Sequence, residues 1–187
     1  LRAEAAVVID TRTMKVVWAK NSHDQRSVAS LTKLMTALVV LDHAVDLGDS
    51  MTVTMDDVKG AGHSHVRAGN RVAIGDLLRC SLISSDNCAT RVLARSTGLS
   101  LPEFVVAMNA KARALDLRET HYADPTGLDA NNVSTAADQA RLIIIAADNP
   151  LISRITSSPS YTFQCGRRIE SLTNTNRLLR SRSDIVG

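Results

Sequence analysis

Leu31, Leu34, Met35, Leu38, Val39 and Leu41 give residues 31–42 the spacing of a helix that is apolar nearly all round. Such a helix is buried on every side, so the rest of the chain has to wrap around it. Gly48 closes the segment. One residue runs against the pattern. Lys33 stands in the first turn, where a helix carries partial positive charge and disfavours a cation. Burial adds a second cost, because an ammonium gives up its water with difficulty. Ser30 lies three residues earlier, one turn away on the same face.

The flanking sequence fixes the fold class. Residues 3–10 and 14–21 are two β-branched, apolar runs joined by Thr11-Arg12-Thr13, and they read as a hairpin. Residues 51–54 read as a short strand and 56–70 as a loop rich in glycine and small polar residues. Helices follow at 74–84 and 88–97, broken at Ser85-Asp86. A third starts at the capping box Ser100–Glu103, with Pro102 in its first turn, and runs to about Leu115. After a polar loop at 124–132, Ser134 or Thr135 caps a helix that Asn149-Pro150 ends. "SYTFQ" and "RRIES" flank Cys165-Gly166 as a second hairpin. Strands at 3–21 and about 160–172 thus bracket a helical region at about 31–156. This is the α+β order of a single domain spanning 1–187, not the alternation of a doubly wound sheet. Trp18 and the methionines are assigned to the core.

Composition narrows the function. The 187 residues are 44% hydrophobic and 22% charged, the profile of a globular chain. A net charge of +3 without a dense basic run, and 3% aromatics, argue against nucleic acid. Cys80, Cys88 and Cys165 form no C-x-x-C pair, so zinc and redox chemistry are disfavoured and free thiols are expected over a Cys80–Cys88 disulfide. His63 and His65 lack a third metal ligand in view and read as solvent or rim residues. No metal and no cofactor is expected. The longest apolar runs, 34–41 and 142–147, are too short to cross a bilayer. Without an initiator Met or a signal segment, the chain fits a processed, exported protein.

A serine needs an adjacent base to act as a nucleophile near neutral pH. A buried lysine has a lowered pKa, and serine–lysine pairs are an established variant of the nucleophile–base arrangement. Ser30 and Lys33 have that spacing. By itself S-x-x-K is common, with Ser30 a cap and Lys33 a snorkelling side chain. Ser85-Asp86-Asn87 by itself is a turn in which Ser85 or Asn87 caps the next helix. Together and in this order, S-x-x-K and S-D-N form the pattern of penicillin-recognising serine enzymes.

The chain resembles the low-molecular-mass penicillin-binding proteins, the D-alanyl-D-alanine carboxypeptidases and endopeptidases. "ASLTKLMTALVVLD" is similar to the family's nucleophile helix, and "KGAGHSHVRAG", "MNAKARALDLRETHYADPTGLDANNVS" and "LTNTNRLL" look closest to its endopeptidases. The resemblance implies a serine β-lactamase/DD-peptidase-like fold, with the helical region on an antiparallel sheet. It implies Ser30 as the acylated nucleophile, Lys33 as its activator, Ser85 as proton relay to the leaving amine, and Asn87 as a substrate-amide ligand. The Ser30 N–H would supply half of the oxyanion hole. Peptidoglycan peptides become the substrate, β-lactams covalent inhibitors, and the periplasm the location. Asp124-Pro125-Thr126-Gly127 borders the cleft in the family and is assigned a supporting role.

The family's third motif, K-T-G, is expected beyond "NTNRLL". The C-terminal strands of the sheet would then lie outside this sequence, in a companion chain, in further sequence, or removed in a fragment. Without them the substrate-carboxylate cation and one oxyanion donor are lacking, the latter worth on the order of 100–1,000-fold in rate. Two alternatives share the motifs. A serine β-lactamase needs a carboxylate such as that of Glu170 in Glu170-Ser-Leu-Thr-Asn174, here read as a coincidence of spelling. A non-catalytic penicillin-binding scaffold needs none.

Overall fold

A computed structural model describes residues 2–180. Helix α1 (Thr32–Asp42) follows a 3-10 turn at Ala29–Leu31 and packs against four other helices. Before it come β1 (Ala6–Asp10), β2 (Lys15–Lys20) and β3 (Arg26–Ser27). After it come β4 (Ser50–Thr52), α2 (Met55–Val58) and β5 (Arg71–Ala73). The helical body continues with α3 (Ile74–Ile83), α4 (Asn87–Arg95) and α5 (Leu101–Ala114). β6 (Val133–Ser134), α6 (Ala136–Asp148), α7 (Pro150–Thr156), β7 (Ser160–Cys165) and β8 (Arg168–Thr173) complete the fold, with a last 3-10 turn at Arg177–Arg180. α3, α4, α5 and α6 are the four that touch α1.

Residues 35 and 37–40 of α1 are buried, and Met35 and Val40 are fully enclosed. Three polar residues of its first two turns, Thr32, Lys33 and Thr36, are buried too. They form a polar stripe that faces one loop rather than solvent. β3 pairs antiparallel with β6, with Ser27 opposite Val133, and the Val28 N–H donates to the Asn132 carbonyl. This short ladder carries the loop between α5 and β6 against the start of α1.

Local signals explain most element ends. Ser100 and Glu103 close a reciprocal capping box on α5. Thr135, not Ser134, caps α6 through the Asp138 N–H, while Ser134 hydrogen-bonds Thr120. Asn149 both ends α6 and caps α7, with Pro150 in the first turn of α7. The loop expected at 56–70 begins instead with the single turn of α2, held by a capping box between Thr54 and Asp57. β5 is likewise an addition, pairing with β4.

The hairpins form with the expected partners, and β1–β2 and β7–β8 each stand as a two-stranded sheet. One expectation fails. Met35 and Met108 are in the core, but Trp18 is 41% exposed and Met14 and Met55 are exposed too. β1 lies on α6, whereas every residue of β2 is exposed, so the strand that carries Trp18 has no apolar layer over it. The three cysteines are buried free thiols. No described helix is long and apolar enough to cross a membrane.

Met35→Ala is expected to cost about 2–5 kcal/mol of unfolding free energy, the range for emptying an enclosed core site. Val17→Ala, on the open face of β2, is expected to stay within about 0.5 kcal/mol. Urea denaturation followed by circular dichroism measures both, and equal costs would contradict this division between core and open face.

Candidate active site

The side chain of Lys33 is 2% exposed. Its ammonium has three N–H donors, and all three are used. Nζ donates to Ser30 Oγ at 3.0 Å, to Asn87 Oδ1 at 2.7 Å and to the Thr126 carbonyl at 2.8 Å. The acceptors come from three separate segments, so the lysine gathers the site around itself. None of the three is charged. Burial therefore prevails and lowers the lysine pKa from 10.5 to about 8, against the opposing charges of Asp124 and Asp86.

Ser30 lies in the 3-10 turn before α1 and is exposed. Ser30, Lys33 and Ser85 open onto one cavity of about 480 Å³, whose apolar wall includes Leu34, Leu82 and Ile143. Asn87 does not line it. Its Oδ1 is held by Lys33 and its Nδ2 donates to the Ala61 carbonyl at 3.0 Å. Neither Ser85 nor Asn87 caps α4. Asp86 does, through the Ala89 N–H at 3.0 Å. Its buried carboxylate also accepts from Ser64 Oγ at 2.9 Å and the His65 N–H at 2.8 Å.

The backbone here is strained. Six non-glycine residues among those described have positive φ, and two of them, Ala29 at 44° and Ser85 at 58°, adjoin or carry the site hydroxyls. Such conformations persist where the surroundings over-determine them. Below Ala29 the restraint is visible. Gly127 has φ of +85°, and a Cβ there would lie 1.9 Å from the Ala29 carbonyl oxygen.

The loop carrying Gly127 is itself tightly braced. Asp124 accepts from the N–H groups of Thr126 at 3.0 Å and Gly127 at 2.9 Å and from the Thr126 hydroxyl. Buried Asn132 donates to Asp124 Oδ1 at 2.8 Å and to Thr32 Oγ1 at 3.0 Å, while Thr36 donates to the Pro125 carbonyl at 2.7 Å. These bonds hold the Thr126 carbonyl against Lys33.

Sequence reasoning missed that carbonyl and Asn132. The Asp-Pro-Thr-Gly spelling announces a turn but not what its backbone faces, and a lone asparagine gives no signal. His63 and His65 lie outside the cavity lining. The His65 ring approaches Glu170 on β8 at 3.6 Å, and Glu170 does not line the cavity either. No cluster of three or more His, Cys, Asp or Glu side chains that could hold a metal occurs among the described residues.

With this geometry in place, comparison with known proteins is decisive. The D-alanyl-D-alanine carboxypeptidase family pattern matches residues 1–187. The chain belongs to this family. It is 37% identical over 188 residues to a D-alanyl-D-alanine endopeptidase of Pseudomonas aeruginosa, covering 98% of this chain and 60% of the relative. It is 35% identical over 187 residues to one of Escherichia coli K12, covering 94% and 58%. The chain thus spans about three fifths of these curated relatives.

Among solved structures, it superposes on a D-alanyl-D-alanine carboxypeptidase from Mycobacterium tuberculosis with a TM-score of 0.90 at 29% identity, covering 97% of this chain and 69% of that one. The Streptomyces K15 DD-transpeptidase gives 0.90 at 26%, covering 98% and 77%. The fold is the α+β fold of the penicillin-binding DD-peptidases.

Gly127→Ala tests the close approach beneath Ala29. The left-handed conformation alone costs an L-residue about 1–2 kcal/mol, and the clash with the Ala29 carbonyl adds to it. A loss of at least about 3 °C in Tm is expected, measured by thermal melting. An unchanged Tm would mean that the loop does not bear on the serine turn.

Proposed function

We propose that this chain carries the nucleophile region of a serine DD-peptidase that cleaves D-alanyl peptide bonds of peptidoglycan. The observation behind this reading is the hydrogen bond from buried Lys33 to Ser30 Oγ, shared with Asn87 of the S-D-N motif. With a pKa of about 8, roughly one lysine in ten is neutral at pH 7. In that form Lys33 Nζ takes the Ser30 proton as Oγ attacks the carbonyl carbon of the D-alanyl bond. The Ser30 N–H stabilises the developing oxyanion. As the C–N bond breaks, the Ser85 hydroxyl passes a proton to the leaving amine and is itself reprotonated from Lys33. Water then attacks the ester on Ser30, returning the acid product and the free hydroxyl. Asn87, held from both ends, is assigned to the substrate's side-chain amide through its remaining donor and lone pair.

A β-lactam ring would acylate Ser30 by the same route, with the amide nitrogen tethered in the product. Endopeptidase action is supported by the names of the Pseudomonas aeruginosa and Escherichia coli relatives, at 37% and 35% identity. The substrate places the work in the periplasm. In this reading residues 1–187 form one domain, completed by a strand that supplies the carboxylate-binding cation and the second oxyanion donor, in the same polypeptide or in a companion chain. Glu170 lies outside the cavity lining and faces His65. A β-lactamase's water-activating acid is therefore not in place there, and slow release of bound penicillin is expected.

Intact-mass spectrometry after benzylpenicillin treatment is the test. An adduct on Ser30, absent in Ser30→Ala, is expected, and its rate of formation should rise with pH and level off above about pH 8 as Lys33 becomes neutral. No adduct on the complete protein, or a rate independent of pH from 6 to 9, would sink the mechanism.

A further inference from the structure

Two features are left over from the chemistry at Ser30: the histidines of the 61–66 loop and the acid Glu170. The fold brings them together. His65 Nδ1 lies 3.6 Å from Glu170 Oε2, and the two side chains are only 21% and 23% exposed. The His65 backbone N–H donates to Asp86 Oδ2 at 2.8 Å. One residue therefore grips the hairpin β7–β8 with its ring and the S-D-N turn with its backbone. The adjacent Ser64 repeats the second grip, donating to both Asp86 oxygens at 2.9 Å. At the other end of the loop the Ala61 carbonyl accepts from Asn87 Nδ2 at 3.0 Å. Asn87 in turn receives Lys33, which holds Ser30.

We propose that His65 is a positioning residue for the Ser30 site, and that its ion pair with Glu170 ties the β7–β8 hairpin to the S-D-N turn. This rests on the DD-peptidase reading for its functional consequence but not for its structural content. The ionic part of this contact exists only when the imidazole is protonated. The ionisable groups set around His65 are Glu170 from β8, the Asp86 carboxylate from the start of α4, and His63 on its own loop. The His63 ring stands edge-on at 5.4 Å.

Glu170→Gln keeps the shape and removes the charge, so it is the deciding variant. Two readouts are followed from pH 5 to 9. The first is NMR of the His65 ring and of the Asn87 and Ala89 amides. In the unaltered protein those amides are expected to shift in step with the His65 titration, and in Glu170→Gln that step is expected to shrink. The second is penicillin acylation of Ser30. Glu170→Gln is expected to slow it about twofold to fivefold at low pH, the size of a partly exposed ion pair, and to match the unaltered protein where the imidazole is neutral. His65→Ala, which keeps the backbone N–H, should reproduce the acylation profile of Glu170→Gln. Amides that ignore the His65 titration, or a slowing equal at every pH, would overturn the proposal. Should Ser30 fail to be acylated in the unaltered protein, the DD-peptidase reading falls while the NMR arm still decides the role of His65.

Discussion

An ammonium buried to 2% exposure with no carboxylate in contact is the constraint on which the rest of this structure turns. Lowering its pKa from 10.5 to about 8 corresponds to about 3 kcal/mol of disfavoured charge in the folded state. The sign is fixed. A lysine with a lowered folded-state pKa burdens the fold fully below pH 8, and the burden lifts as pH climbs toward 10.5. A surface lysine would carry no such cost. What the proposed mechanism draws from this is a lysine able to give up its proton near pH 8 beside a serine hydroxyl. Three neutral oxygens serve that purpose better than an acid would, because each satisfies an N–H without adding a charge that raises the pKa.

Holding three acceptors from distant segments on one nitrogen requires that each segment be rigid independently. α1 supplies Lys33 and, through the 3-10 turn that leads into it, Ser30, and it is fixed by packing against four helices. The Thr126 carbonyl is fixed by Asp124, Asn132, Thr32 and Thr36. This is why the buried polar residues of α1 are threonine and lysine rather than leucine: they are the attachment of the loop. Gly127 sits where the loop and the serine turn touch, and no side chain fits there. The positive φ of Ala29 is held by the same contact. Packing, backbone strain and the lysine's proton affinity are thus three aspects of one local arrangement.

Much of this was legible from local spacing. The i, i+3 relation of Ser30 and Lys33 on an apolar helix, and the S-D-N triplet at a helix break, named the residues that meet. The hairpins and the capping box at Ser100 were readable because their signals lie within a few residues of one another. Failures arose where the deciding partner is far along the chain. Thr126 acts through its carbonyl, which every residue type possesses, 93 residues from Lys33. Trp18 looks like core by composition, but what covers a strand is a matter of tertiary neighbours, and β2 has none among the described residues that bury it. α2 was missed although Thr54 and Asp57 spell a capping box, because a glycine-rich segment follows immediately. Glu170 fitted a motif by spelling alone and was read as a coincidence from its place in the chain, and it lies on β8 beside His65.

The three residues of S-D-N divide their work by direction. Ser85, in a left-handed conformation, opens onto the cavity with Ser30 and Lys33. Asp86 turns inward, caps α4 and anchors the 61–66 loop through Ser64 and His65. Asn87 opens α4 and spans Lys33 and Ala61. The middle residue must therefore be an acceptor with several lone pairs, and a carboxylate meets that need. Shortening or neutralising it would loosen the cap and the loop together, and with them the carbonyl that orients Asn87. The acid in the middle of the motif thus bears on the site in two ways, through the backbone it holds and through a charge that opposes the lowering of the Lys33 pKa.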